Sequence, residues 1–506
     1  MSDLLIFLQG FVLALILILV SVNYTRRPKN LAPGPFPLPI LGNLVQLGWI
    51  NATKPHVAFA KLGEKYGDVM SIQLGSVYAV VLNSYEVMEE YLPKPEFSHR
   101  FFNGWISERT LSKRLGVVFA ESPSPWQELR RFSLRSLREF GFGKKNGMHA
   151  IIHAEIEEII SDLKSKIGEN NGIITFDEYF SISTLNLVWS MLAGTRYEHS
   201  NPKLLKLTNV VKEFFLSTNT GNNVLLAFPE WRNWFPNWTG MTAQRNCHHK
   251  TNSFFQEIID ERRELGIYKT NPENLIDQFL FEIDAEAKKG GSENAPIFSE
   301  DQLVGLMNDM FMAGSETSSN TLAWSLLYLI RNPEMQEKLQ KEIEVVVPHG
   351  TFPTAEHETQ LHYARAILAE THRISSVLPL MAPRAVVEDT YCRKFLVPKG
   401  TYVMANIYNI HHDKIYWKDP ENFRPERFID NEGHFKSDPR VKPFGFGKRN
   451  CLGEPLASTS LLHYLVVLMQ NFTFRGVPNE PLPTDVPVDG ITIAPQVYRA
   501  LLECRA

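Results

Sequence analysis

Cysteine is scarce in this chain. Its 506 residues include four, Cys247, Cys392, Cys451 and Cys504, set far apart and in no C-x-x-C pair. That argues against a disulfide scaffold or a zinc ribbon and fits a chain that folds on the reducing side of a membrane. Surplus positive charge is missing too: 52 Lys and Arg stand against 56 Asp and Glu, for a net charge of −4. Without a polybasic face, nucleic acid is not an expected partner. There is no internal repeat and no long low-complexity tract, and hydrophobic residues at 44% with charged residues at 21% are ordinary globular proportions. A large core is therefore within reach.

One long hydrophobic run is present. Leu4 to Val22 is apolar except at Gln9, Gly10 and Ser21, and at about 1.5 Å per residue it reaches across most of a bilayer. It reads as a transmembrane anchor over residues 1–25. The alternative is a cleaved signal peptide, but the stretch before the run carries Asp3, and the basic residues Arg26, Arg27 and Lys29 follow it. By the positive-inside rule the body is cytoplasmic, which leaves the sequons at Asn23, Asn51, Asn237 and Asn471 unused. Residues 26–42 combine basic residues with repeated prolines and read as a semi-rigid hinge or a plain linker. The body then runs over 43–506.

Within the body, alternation from Asp68 to Leu82 predicts a hairpin. Helical periods dominate afterwards, with short strands near Ala385 to Thr401 and at the C-terminus. The expected class is mainly α, of the α+β kind, with small β-sheets. Trp126 and Arg130 share a helix face and together suit a carboxylate, although such pairs are more often surface packing. Arg131, Arg135 and Arg138 extend a basic face, ordinarily solvated, that suits an acidic protein partner. Phe214, Phe215, Phe228, Trp231, Trp234, Phe235 and Trp238 make residues 213–239 strongly aromatic, as in a loop dipping into a lipid interface or in plain core packing.

Ser299 to Arg331 is the clearest helix. It opens on a capping box, Ser299-x-x-Gln302, stops at Asn332-Pro333, and makes a rod on the order of 45 Å long. Mid-helix it carries Ala313-Gly314-Ser315-Glu316-Thr317-Ser318, which reads either as a close helix crossing or as a weakened, hydrated turn. Glu370-x-x-Arg373 is an i,i+3 ion pair, a weak signal alone. His411 and His412 are adjacent, do not share a helix face, and read as structural or exposed.

One cysteine stands apart. Cys451 lies in Pro443-Phe-Gly-Phe-Gly-Lys-Arg-Asn-Cys-Leu-Gly453, directly before an apolar helical run. Glycines let backbone approach a flat ligand closely, and a helix start stabilises a thiolate. An inert buried cysteine is the bland alternative. The pattern Phe444-x-x-Gly447-x-Arg449-x-Cys451-x-Gly453 resembles the haem-binding loop of the cytochromes P450. The order and spacing of Trp126/Arg130, Ala313 to Thr317, Glu370/Arg373 and Pro425-Glu-Arg427-Phe428 are similar to that family along nearly the whole chain. The closest likeness is to the microsomal clan of animal steroid- and drug-oxidising members, and Phe311-Met-Ala-Gly-Ser-Glu-Thr looks most like its insect members.

The resemblance implies the P450 fold and a haem-thiolate monooxygenase. Cys451 would be the axial ligand of haem b. Arg100, Trp126, Arg130, Arg384 and Arg449 would meet the propionates, and Ala313 and Phe444 would face the ring. Thr317 would orient dioxygen and water and Glu316 would relay protons, with Glu in place of the commoner Asp and Ser318 in place of Thr. Glu370, Arg373 and Arg427 would form a buried structural triad. Val117, Val118, Phe119, Phe215, Asn308, Phe311, Val377, Leu380 and Ile491 would line a cavity for a lipophilic substrate, with Asn308 as its polar anchor. Electrons would come from NADPH through NADPH-cytochrome P450 reductase, with cytochrome b5 as a second donor, at the endoplasmic reticulum membrane. Two alternatives remain open: rearrangement or dehydration without NADPH on the same fold, and a non-catalytic haem-binding membrane protein.

Overall fold

A computed structural model of the chain describes residues 10–12, 15, 30–110, 112–142, 145–177, 179–217, 224–288 and 296–505. The alternating segment near the start of the body forms the expected hairpin. Its strands are Val69–Leu74 (β1) and Val77–Leu82 (β2), with Val69 opposite Leu82. The hairpin is one edge of a five-stranded sheet that also holds His99–Arg100 (β3), Arg384–Ala385 (β5) and Tyr402–Ala405 (β8), in the order β1-β2-β8-β5-β3. Ile173–Phe176 (β4), Phe472–Arg475 (β9) and Tyr498–Cys504 (β10) make a second sheet, and Thr390–Cys392 (β6) pairs with Phe395–Val397 (β7). Helices make up most of the remaining regular structure, as the periodicities imply.

The expected long helix spans Glu300–Arg331, and its first turn is only half a capping box. Ser299 accepts from the Gln302 N–H at 3.2 Å, whereas the Gln302 side chain donates to the Gly116 carbonyl at 3.3 Å. The helix is buried on nearly every face and packs against Ser181–Ala193 and Met241–Leu265. At one crossing, a Cβ on Gly314 would stand 2.5 Å from Val188 Cγ2. The close-crossing reading of this turn is therefore realised, and the helix continues through it without a break.

The anchor expected over 1–25 lies outside the described residues except at 10–12 and 15, and no helix among the described residues is long and apolar enough to cross a membrane. Of the hinge expected over 26–42, the residues from 30 onward are described and pack on the body. Leu31 bridges Leu396, the Ser71 N–H and hydroxyl donate to Pro33 and Ala32 carbonyls at 2.7 and 2.6 Å, and Ala32 is buried. Proline removes donors but leaves carbonyls free to accept, so this segment lies along the body as part of it.

Candidate active site

The Cys451 loop is shaped by backbone that side chains would disturb. Gly445 and Gly447 have φ of +83° and +64°, and a Cβ on Gly447 would meet Pro93 Cα at 2.6 Å. The Cys451 N–H donates to the Phe444 carbonyl at 2.8 Å. Three residues on, the helix Glu454–Asn471 begins. Burial raises the Cys451 thiol pKa, and hydrogen bonds from the Gly453 and Glu454 backbone act against that rise by favouring the thiolate. Cys451 nevertheless has an exposed surface, so its sulfur borders open space rather than a packed interior.

The long helix has one open turn of its own. Ala313 is exposed and Thr317 half-exposed in the middle of a helix that is otherwise buried. The Thr317 hydroxyl donates to the Ala313 carbonyl at 2.8 Å. Glu316 turns the other way, is 5% exposed, and accepts from the Asn320 amide at 3.3 Å. A single turn thus packs one face on Val188 through Gly314 and opens another toward space.

Arginines are drawn together around the Cys451 loop, and among the described residues Arg100, Arg384 and Arg449 form no ion pair, bonding backbone carbonyls instead. Arg100 on β3 and Arg384 on β5 are directly opposite in register, and both are buried. Like charges so placed repel. Arg384 donates to the Leu92 and Phe446 carbonyls, and its Nε is buried with no partner. Arg449 donates to Ser98 and Ala120 carbonyls, both at 2.9 Å, and lies 3.9 Å from the centroid of the buried Trp126 ring. Arg130 reaches Asn450 Oδ1 at 2.7 Å, so Trp126 and Arg130 flank the loop separately rather than as one clamp. Burial first, then mutual repulsion, lowers the pKa of Arg449 to about 8 and of Arg384 to about 9. Burial lowers that of Arg100 to about 10, against the pull of Asp309. Buried cations with no carboxylate ion pair, packed against the loop that exposes Cys451, fit a flat dianionic group such as a haem with two propionates.

Behind the loop, the Glu370 carboxylate accepts from Arg373 Nε and Nη2 at 2.7 and 2.8 Å, with both side chains fully buried. Arg427 Nε joins at 3.3 Å, while its other nitrogens bond the Trp417 and Asp419 carbonyls. This is a satisfied triad rather than a solvated surface pair. His411, also fully buried, is structural. Its Nδ1 lies 2.9 Å from the Ser376 hydroxyl, and its Nε2 accepts from the Lys442 N–H at 3.0 Å.

The expected cavity residues divide. Phe215, Val377 and Ile491 converge from distant segments: the Ile491 N–H donates to the Phe215 carbonyl and the Ile493 N–H to that of Val377. Val117 and Val118 belong with them in one apolar cluster, whereas Phe119 and Leu380 belong to a neighbouring one. Two expectations are corrected. Asn308 is fully buried and bonded to Asn252 at 2.5 Å and to Thr251 at 3.4 Å, so its amide is spent between helices. Phe311 is fully buried against Trp189, Phe254 and Phe255 and belongs to the core. The sequence reading missed Asp309, which bonds the 116–118 loop, and its partner Arg109. An acid amid apolar helix residues was the available signal. In the aromatic segment Trp231 stacks on Phe228 at 4.7 Å, but Trp234 and Trp238 are 69% and 68% exposed, so those two are not core. Arg131, Arg135 and Arg138 are exposed on one surface.

A family model described as Cytochrome P450 matches residues 32–501. The chain belongs to the cytochrome P450 family. It is 32% identical over 496 residues to a Bombyx mori protein named Farnesoate epoxidase, covering 98% of both chains. It is 33% identical over 480 residues to Cytochrome P450 2J3 of Rattus norvegicus, covering 94% of this chain and 91% of the relative. Cytochrome P450 2E1 of Oryctolagus cuniculus is 32% identical over 490 residues, with 94% of each chain covered. The protein is thus a P450 monooxygenase of the microsomal type, and its family uses haem and dioxygen.

Proposed function

We propose that this P450 inserts one oxygen atom into a lipophilic small molecule, by hydroxylation or epoxidation, with Cys451 as the thiolate ligand of its haem. The observation that supports this reading is the loop that exposes Cys451 while its Arg449 is buried beside the cations Arg100 and Arg384. The arginines, with Arg130, would neutralise the propionates, while Trp126 would support Arg449, and Phe444 and Ala313 would flank the group. When bound, the haem supplies dioxygen activation. The chain's own part is to hold the sulfur anionic with backbone N–H groups, move protons at the Thr317 hydroxyl with Glu316 behind it, and exclude water with Val117, Val118, Phe215, Val377 and Ile491.

Electrons come from NADPH through NADPH-cytochrome P450 reductase, with cytochrome b5 as a second donor, at the face carrying Arg131, Arg135 and Arg138. Residues 1–25 anchor the protein in the endoplasmic reticulum membrane by a single pass, with the body cytoplasmic and Trp234 and Trp238 against the lipid. The Bombyx mori relative acts, by its name, on farnesoate, and the apolar lining suits a branched isoprenoid, so farnesoate is the first substrate to assay.

The test is the carbon monoxide spectrum of the reduced full-length protein, followed by NADPH consumption with reductase and farnesoate or other lipophiles. A thiolate-type Soret band that is lost in Cys451→Ser, together with substrate-dependent NADPH use, is expected. A band that survives Cys451→Ser overturns the ligand assignment. Product formation without NADPH would favour the rearrangement chemistry instead.

A further inference from the structure

Away from the Cys451 loop, three histidines and a glutamate meet between three helices. His149 and His153 lie one turn apart on Lys145–Glu169, Glu358 on Ala355–Gln360, and His463 on Glu454–Asn471. One carboxylate oxygen, Glu358 Oε1, is 3.0 Å from His149 Nε2 and 3.0 Å from His463 Nε2, and the three atoms lie within 4.8 Å of one another. His463 is fully buried, and its second nitrogen, Nδ1, is 3.1 Å from His153 Nε2. The His153 ring in turn stacks on Phe352 with centroids 4.1 Å apart.

As a hydrogen-bond network alone this cluster is costly. It buries imidazoles around a single carboxylate oxygen, where apolar side chains of the same size would avoid the desolvation. As a donor set it is economical. Tetrahedral zinc with bonds of about 2.0–2.1 Å places its ligand atoms about 3.4 Å apart, so the two 3.0 Å carboxylate–imidazole separations need only a slight spread, and the two histidine nitrogens already lie within 4.8 Å of each other. Two imidazoles and one carboxylate select zinc-like ions over magnesium or calcium, which take oxygen ligands. Ligating histidines commonly donate their other ring N–H to an outer partner that fixes the tautomer. His153 is placed to be that partner, accepting from His463 Nδ1–H so that the His463 Nε2 lone pair points to the shared centre.

We propose that His149, Glu358 and His463 bind a divalent transition-metal ion of the zinc class, with His153 as the positioning residue for His463. The ion joins three helices that are distant in sequence, one of which starts beside Cys451. It leaves one coordination position for water, and it stabilises the fold by mass action because the unfolded chain lacks the site. No oxygenation step depends on it.

The test uses the haem-loaded full-length chain in detergent, stripped of loose metal by chelator and then equilibrated with Zn2+. One zinc per haem, a zinc X-ray absorption shell of nitrogen and oxygen with imidazole scattering, and a thermal midpoint that rises with Zn2+ are expected. His149→Ala and Glu358→Gln should lose stoichiometric zinc while keeping the thiolate-type Soret band, and His153→Phe should weaken zinc by roughly tenfold to a hundredfold. No zinc uptake by the wild-type chain overturns the proposal, as does sulfur in its zinc shell or uptake unchanged in both ligand variants. The wild-type absorption shell decides the matter even if the variants fold poorly. The readout is zinc, so it stands apart from the haem assignment.

Discussion

The Asp309 carboxylate holds the Val117 and Val118 N–H groups at 2.6 and 2.7 Å through one oxygen and pairs with Arg109 through the other. The loop lies so close that a Cβ on Gly116, whose φ is +77°, would stand 2.2 Å from the same oxygen. A buried carboxylate on the long helix therefore fixes the loop that carries Val117 and Val118, two residues of the proposed substrate pocket. Asp309→Asn keeps the shape but removes the charge and leaves Arg109 unpaired. It should lower stability on the order of 3 kcal/mol and raise KM by a larger factor than it lowers kcat, as read by thermal unfolding and steady-state kinetics.

Arg373 should tolerate no substitute. Arg373→Lys replaces a two-pronged contact with a point charge and abandons the His411 carbonyl, bonded at 2.8 Å. A loss of about 3–5 kcal/mol is expected, seen as little or no folded haem protein on expression. Arg424→Ala, at a side chain 48% exposed, should stay within about 0.5 kcal/mol of wild type.

The two loop glycines should differ. In Gly445→Ala the new methyl meets only the movable end of Met381, Cε at 2.6 Å, so the left-handed backbone cost of about 1–2 kcal/mol dominates. In Gly447→Ala it meets Pro93 backbone, also at 2.6 Å, which cannot step aside. The fraction of protein giving the thiolate-type carbon monoxide band should fall modestly in the first and severely in the second.

Acid should weaken the fold from near pH 6.5 downward. Burial lowers the pKa of His56 and His248 to about 3 and that of His411 well below its ordinary value. The unfolded chain protonates these histidines first. Their contribution is therefore complete above about pH 6.5 and is lost as pH falls, by about 1.4 kcal/mol per pH unit for each. Thermal midpoints measured from pH 8 to 5 should show a plateau followed by a decline, and His248→Phe should make the decline shallower.

The sequence made local features legible. The hairpin, the Ser299 cap, the fork from Glu370 to Arg373 and the glycine pattern before Cys451 each depend on spacings within a few residues. The faces of the long helix were not legible, because a helix buried on all sides has no polar stripe to orient it. Asn308 and Phe311 were accordingly placed toward the substrate pocket when they face Met241–Leu265, and Asp309 was passed over although its loop partners lie 192 and 191 residues away. The proline-rich segment looked like a tether because its composition does not show that its carbonyls are used by Ser71.

Gly314 has a consequence beyond packing. Its contact with Val188 lies on the back of the turn whose front is Ala313 and Thr317, so the helix is seated from behind. With the haem placed as proposed, residue 188 acts as a shim: trimming or enlarging it would shift the Ala313 and Thr317 face relative to Cys451. Val188→Ala and Val188→Ile should therefore shift the ratio of oxygenated products in opposite directions, a form of selectivity set by thickness rather than by contact.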